Sequence, residues 1–298
     1  MAFDDQIYRQ TKITTNKWHE CETSFIKMPL PCHPIDAQTR LQSLVSAIES
    51  SMSGGSLSIT GLGRDIDSKA MEKHKIKRVD RLCSNANLHR DIEFIYTRMA
   101  YLLVGKMKQP IIHIDWSDID ERKQNFLIRA SLAAQGRSLT LYEEIHPLNK
   151  KEKPKTQLLF MTKLKAMLPN DCKPIIVTDA GFRIPWFKQI LSFNWDYVGR
   201  FRNKTHCKKL SKHDWYPVKN LYALASTRAK RLGVYLLGEQ MAFQSHLVIL
   251  NVMLKGEKIE LQSVIKLDRV SGLAQAQSER KSLGYSQHHF VIQVLRLK

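Results

Sequence analysis

Two aspartates close short runs of apolar, mostly β-branched residues: Asp115 after Ile111 to Ile114 in the stretch IIHIDWSDI, and Asp179 after IIVT at Ile175 to Thr178. An ionised carboxylate among apolar neighbours is costly unless a cation, a hydrogen-bond donor or open solvent compensates it. Two such acids, each ending an Ile-rich run, point to carboxylates carried by neighbouring strand ends and aimed at a common point.

The rest of the chain bounds the chemistry. Its 298 residues carry a formal net charge of +19 with 43% hydrophobic residues, which describes a folded basic protein whose partner is a polyanion. Cys21, Cys32, Cys83, Cys172 and Cys207 are odd in number and form no CxxC pair, so neither a disulfide framework nor a tetrahedral zinc site is signalled. A reducing cytoplasm fits that usage. No apolar run is long enough to span a bilayer, and MAFDDQIYRQ lacks the basic start and apolar stretch of a signal peptide, so no membrane partner is expected.

The elements that must position the acids follow from periodicity. Residues 1–35 are polar, lack a period and end in MPLPCHP, which reads as a disordered extension. A helical region follows over 36–108. Asp36 can cap a helix carrying Leu41, Leu44, Val45, Ile48 and Met52 on one face, and SGGS ends it. Ser58 or Thr60 can cap a short helix through Ile66. A second helix from about Ser68 bears Lys69, Lys73, Lys75, Lys77, Arg78 and Arg81 beside Ile76, Val79 and Leu82. Short helix, tight turn and basic helix suggest a helix-turn-helix DNA reader; a solvated basic face on a bundle helix is the plainer alternative. A third helix spans Leu88 to Met107.

After Pro110 the period becomes that of strands. Expected strands are Ile111 to Asp115, Phe126 to Leu132 and Ser138 to Ile145, then a helix from Thr156 to Leu168, a strand ending at Asp179, a helix through Leu191 and a strand from Trp195 to Phe201. The order β-β-β-α-β-α-β over 109–202 is that of an α/β, ribonuclease H-like core with a mixed sheet, where a crossover helix sets the fourth strand parallel to the first. Both aspartates then lie at strand ends where ligands gather on open α/β sheets. Residues 203–270 read as a basic inserted β-subdomain. A basic stretch from Arg200 to Arg231 leads into it, with Arg200, Arg202, Lys204, Lys208, Lys209 and Lys212 and with Trp215, Tyr216 and Tyr222 interleaved, a composition that tracks a phosphate backbone and stacks on splayed bases. VYLLG, HLVILNVML and IELQSVIKL are its expected strands.

Four ordered blocks carry a family resemblance: IKRVDRL at Ile76 to Leu82, IDWSDI at Ile114 to Ile119, LIRASLAAQGRSLTLYEE at Leu127 to Glu144 and PIIVTDAGFRIPWF at Pro174 to Phe187. Together they resemble the cut-and-paste DDE transposases of bacterial insertion sequences over about His33 to Lys266. The resemblance implies a metal-dependent nuclease and strand transferase acting on double-stranded DNA at terminal inverted repeats, working as a dimer on paired ends in the nucleoid. It implies two Mg²⁺ or Mn²⁺ ions about 4 Å apart held by three acids, with Asp115 matching the first and Asp179 the second. Aspartates suit the hard-oxygen preference of Mg²⁺.

The third acid of that family lies in a late Tyr-x2-Arg-x3-Glu-x6-Lys run. Here Tyr197 and Arg200 have the opening spacing, but Lys204 stands at the glutamate position, and Glu260 and Glu279 have no such motif around them. The tail over 271–298 diverges from the family and replaces the last core helix, so the chain reads as a truncated or frame-shifted copy with an unpaired sheet edge. Three readings follow: an active transposase, a catalytically inactive DNA-binding remnant, and a host structure-selective nuclease on the same fold. Among neighbouring residues, Asp118 reads as a turn acid, Glu143 and Glu144 as solvated or structural, His113 as packed, and Trp186 and Phe187 as core.

Overall fold

Apolar residues at helical spacing build a first group of helices: α1 (Pro34–Met52), α2 (Ile59–Arg64), α3 (Glu72–Cys83) and α4 (Ala86–Val104). The computed structural model describes residues 34–54, 56–134, 137–226, 229–254 and 286–294. The chain divides into two compact units between Ile95 and Tyr96, inside α4. The expected extension up to residue 33, the strand IELQSVIKL, Glu260 and Glu279 lie outside the described residues.

In the first unit, Ser58 caps α2 by accepting from the Gly61 N–H at 3.0 Å. Gly63 lets α2 approach α3 closely, since a Cβ there would fall 2.4 Å from the Ile76 Cα. Leu41, Ile66, Val79 and Leu82 are buried, and Arg40 pairs with Asp91 at 3.1 Å in a buried link between α1 and α4. Three helix starts differ from expectation, one of them that of α4, which begins at Ala86 and not at Leu88. Helix α1 begins at Pro34, ahead of Asp36, and α3 begins at Glu72, after Ser68. The Ser68 hydroxyl accepts from the Ala70 N–H at 3.2 Å, a local bond that competes with helix and delays its start.

The second unit is α/β. Its mixed part holds β1 (Ile111–Asp118), β2 (Asn125–Ala134), β3 (Arg137–Pro147), β4 (Ile175–Thr178) and β5 (Asp196–Arg200) in the order β3-β2-β1-β4-β5. β1 is antiparallel to β2 and β2 to β3, whereas β4 is parallel to both β1 and β5. The parallel steps need crossovers, supplied by α5 (Pro154–Met167) before β4 and α6 (Ile184–Ser192) before β5. Each of these helices opens with proline in its first turn, where the missing N–H has no intrahelical role. Ile112, Ile114, Ile128, Ile176 and Tyr197 pack into one core with Phe160 and Leu164 of α5 and Phe187 and Ile190 of α6. Gly199 leaves room for the Phe187 ring, which a Cβ would meet at 2.5 Å.

Beyond β5 the ladder continues through β10 (Ser286–Val294), β9 (Phe243–Leu254), β8 (Lys230–Leu237), β6 (His206–Lys209) and β7 (Tyr216–Pro217), all antiparallel. The expected unpaired edge is therefore corrected: β10 pairs with β5 through Ile292 and Arg200 and with β9 along its whole length. The described part of the divergent tail is strand, and its sequence SQHHFVIQV carries the β-branched residues that favour one. A 3-10 turn at Leu148–Lys150 and a 3-10 segment at Val218–Leu224 complete the elements. Among the described residues no helix is long and apolar enough to cross a membrane.

Candidate metal and DNA-contact site

The two sequence-picked aspartates come together. Ile111, Ile112, His113 and Ile114 of β1 register with Ile175, Ile176, Val177 and Thr178 of β4 in parallel, so the residues that follow are Asp115 and Asp179. Paired residues of adjacent strands share a sheet face and lie about 4.8 Å apart in the hydrogen-bonding direction. Ile112, Ile114 and Ile176 point into the core, which places Asp115 on the opposite face with His113.

Each carboxylate is fixed by a backbone donor. Asp115 Oδ1 accepts from the Trp116 N–H at 2.8 Å, and Asp179 Oδ1 accepts from the Gly181 N–H at 2.7 Å. A Cβ at Gly181 would meet Asp179 Oδ1 at 2.9 Å, so a larger residue there would shift that carboxylate. Arg202 steadies the same loop by donating from Nε to the Ala180 carbonyl at 2.8 Å. Although Asp115 is open to solvent by area, the protein mass around its carboxyl group raises its pKa above the ordinary carboxylate value. The negative charge of Asp179 raises it further, against the Trp116 N–H and Lys151, which lower it. A pair of hard-oxygen donors whose charges oppose each other has the chemistry that suits a divalent cation. Among the described residues no three His, Cys, Asp or Glu side chains are grouped to hold a metal ion, so these two stand as a pair.

Neighbouring polar residues fall into separate roles. His113 is packed: burial lowers its pKa, and its buried Nε2 has no partner among the described residues. Asp118 ends β1 with its carboxylate 3.5 Å from Lys123 Nζ and 3.6 Å from Lys151 Nζ, and that second ammonium lies 3.8 Å from the centre of the Phe126 ring. Glu144 accepts from Tyr142, from Lys163 at 3.1 Å and from His146 at 2.7 Å. Burial acts to raise its pKa, but these donors outweigh it and hold the carboxyl below the ordinary value. Trp186 and Phe187 are core. Arg129 and Glu143 were not singled out as binding groups from sequence, yet they share the face of Asp115: Asp115 registers with Arg129, and Arg129 with Glu143. Strand alternation in LIRASL, with Ile128 and Ala130 buried, is the signal that sets Arg129 on that face.

The basic residues divide by what they touch. On α3, Lys73, Lys77 and Arg81 are exposed and spaced four apart, and Lys69 is exposed in the preceding turn. Lys75 and Arg78 are turned inward: Lys75 Nζ donates to the Ile66 carbonyl at 2.7 Å and Arg78 Nε to Ser43 Oγ at 3.2 Å. In the second unit, Lys204, Lys209 and Lys212 are exposed, Arg200 lies in β5, and Lys208 Nζ sits 5.3 Å from the centre of the Trp215 ring. Of the cations singled out from sequence, Lys75, Arg78 and Arg202 thus make bonds within the protein.

Comparison of the chain with protein-family models, with curated proteins and with solved structures finds no match.

Proposed function

We propose that the chain is a DDE-type DNA transposase of an insertion sequence on a ribonuclease H-like core, cleaving DNA and transferring strands at transposon ends. The observation that carries the reading is that Asp115 and Asp179 directly follow Ile114 and Thr178, the last registered pair of two adjacent parallel strands. The sheet order β3-β2-β1-β4-β5, antiparallel then parallel, supports the fold assignment, and the net charge of +19 supports a polyanionic substrate.

Asp115 and Asp179 would hold Mg²⁺ or Mn²⁺, which when bound polarises the attacking and leaving oxygens of an in-line displacement at phosphorus. The backbone donors Trp116 N–H and Gly181 N–H each bond one oxygen of these carboxylates and so hold the side chains in place. The exposed cations Lys73, Lys77, Arg81, Lys204, Lys209 and Lys212 supply the sequence-independent hold on the phosphate backbone. A second reading, a DNA-binding remnant without catalysis, is favoured by one observation: no third carboxylate joins the pair among the described residues.

The deciding experiment incubates the purified chain and its Asp115→Asn variant with Mg²⁺ and duplexes that carry the DNA sequences flanking its gene. Nicking lost in the variant supports the transposase. DNA binding without nicking supports the remnant, and absence of DNA binding removes both.

A further inference from the structure

One side chain on the acidic face has a cation where an ion pair with a metal ligand would be expected. Arg129 is the direct cross-strand partner of Asp115, and opposite charges so placed attract each other across about 5 Å between their Cβ atoms. Yet Arg129 turns the other way, donating from Nε to Glu143 Oε2 at 2.7 Å on the next strand. Glu143 is itself bonded by the Tyr96 hydroxyl of α4. The groups that lower the Asp115 pKa are the Trp116 N–H and Lys151.

We infer that Arg129 is a DNA-phosphate contact on the Asp115–Asp179 face, and that Glu143, steadied by Tyr96, is the positioning residue that keeps it off Asp115. The inference rests on the metal-dependent DNA reading above and names the residue that meets the substrate beside the acids.

The guanidinium is 47% exposed and anchored at Nε, so its Nη nitrogens, which carry the other four N–H donors, extend from a fixed base. A planar fork of that kind matches two oxygens of one phosphate, a geometry an ammonium cannot supply. And the alternative pairing has a cost for function: an arginine bound to Asp115 would neutralise a charge that the cation needs. A partly exposed ion pair by itself contributes little to stability, so a purely structural account gives the Tyr96–Glu143–Arg129 chain no readout at the metal.

The test uses the full chain with two probes: Mn²⁺ titrated by electron paramagnetic resonance, and a fluorescent duplex followed by anisotropy over a range of salt. Arg129→Gln is expected to lower DNA affinity about tenfold and to reduce the slope of log affinity against log salt by about 0.9, with Mn²⁺ affinity no weaker. Arg129→Lys keeps the slope while affinity still falls, which separates fork from charge. Glu143→Gln is expected to weaken Mn²⁺ binding roughly fivefold by releasing Arg129 toward Asp115, and the Arg129→Gln, Glu143→Gln double variant to recover it. Mn²⁺ binding that depends on Asp115, combined with wild-type DNA affinity in Arg129→Gln or wild-type Mn²⁺ affinity in Glu143→Gln, overturns the inference and leaves the proposed function standing. Wild-type chain that binds no Mn²⁺, or an Asp115→Asn variant that binds it unchanged, overturns both.

Discussion

Ile114 of β1 faces Thr178 of β4 in parallel register, and the next residue of the chain after each is an aspartate. If that arrangement builds a cation site, both acids must be needed for it. Asp115→Asn and Asp179→Asn are each expected to abolish saturable Mn²⁺ binding. Affinity for duplex DNA should be retained or slightly increased, because a negative charge has been removed from a basic protein. Isothermal titration with Mn²⁺ and anisotropy with a labelled duplex read the two effects separately.

The raised pKa of Asp115 predicts a pH dependence whose sign can be worked out. Burial and Asp179 disfavour its charged form in the folded chain, so its contribution to stability is fully present below the ordinary carboxylate value. That contribution is lost as pH rises through the raised folded value. In metal-free chain, Asp115→Asn should therefore gain stability over wild type as pH rises through that window and match it at lower pH. Mn²⁺ affinity of the wild type should fall on acidification earlier than for an ordinary aspartate, since proton and metal compete. Urea unfolding with EDTA, repeated over pH, checks the first expectation.

Glu144 shows the opposite case. Donors from Tyr142, Lys163 and His146 hold its pKa down despite burial, so its contribution is present above the ordinary carboxylate value and lost as pH falls through the lowered one. Replacing it leaves partly buried donors short of an acceptor. Glu144→Gln is expected to cost about 2 kcal/mol at neutral pH, with the difference from wild type shrinking in acid, as read by denaturant midpoints.

The basic helix α3 separates binding from folding. Lys73, Lys77 and Arg81 are exposed, so replacing all three with glutamine should reduce the salt slope of DNA binding by about 2.7 with little change in unfolding midpoint. Lys75 and Arg78 are bonded to Ile66 and Ser43, so Lys75→Met and Arg78→Met should lower the stability of the helical unit by about 1 kcal/mol each. Equal effects of the two sets on DNA binding would contradict this division.

Much of the strand framework was legible because burial leaves a periodic mark. Ile-rich runs marked β1 and β4, and their ends marked Asp115 and Asp179. Boundaries moved where a local bond intervened, as at Ser68, or where hydrogen bonding carried a strand further than its apolar run, as β1 reaches Asp118 and β3 reaches Pro147. β6, β7 and β10 were not anticipated as strands. Two of them are four residues or fewer, too short for a period, and β10 follows a stretch that resembled nothing in the family.

What the chain by itself determined were the properties that need no partner: its positive charge, the alternation that sorts buried from exposed side chains, and the acids that interrupt apolar runs. Which acids meet, and which cations are exposed rather than bonded within the protein, came only from tertiary structure. Register joins residues 64 positions apart at Asp115 and Asp179, and it sets Arg129 between Asp115 and Glu143. The reason is physical. Charge and hydropathy belong to single residues, whereas register and ion pairing are relations between segments, settled when the folded chain satisfies its backbone bonds and buried charges together.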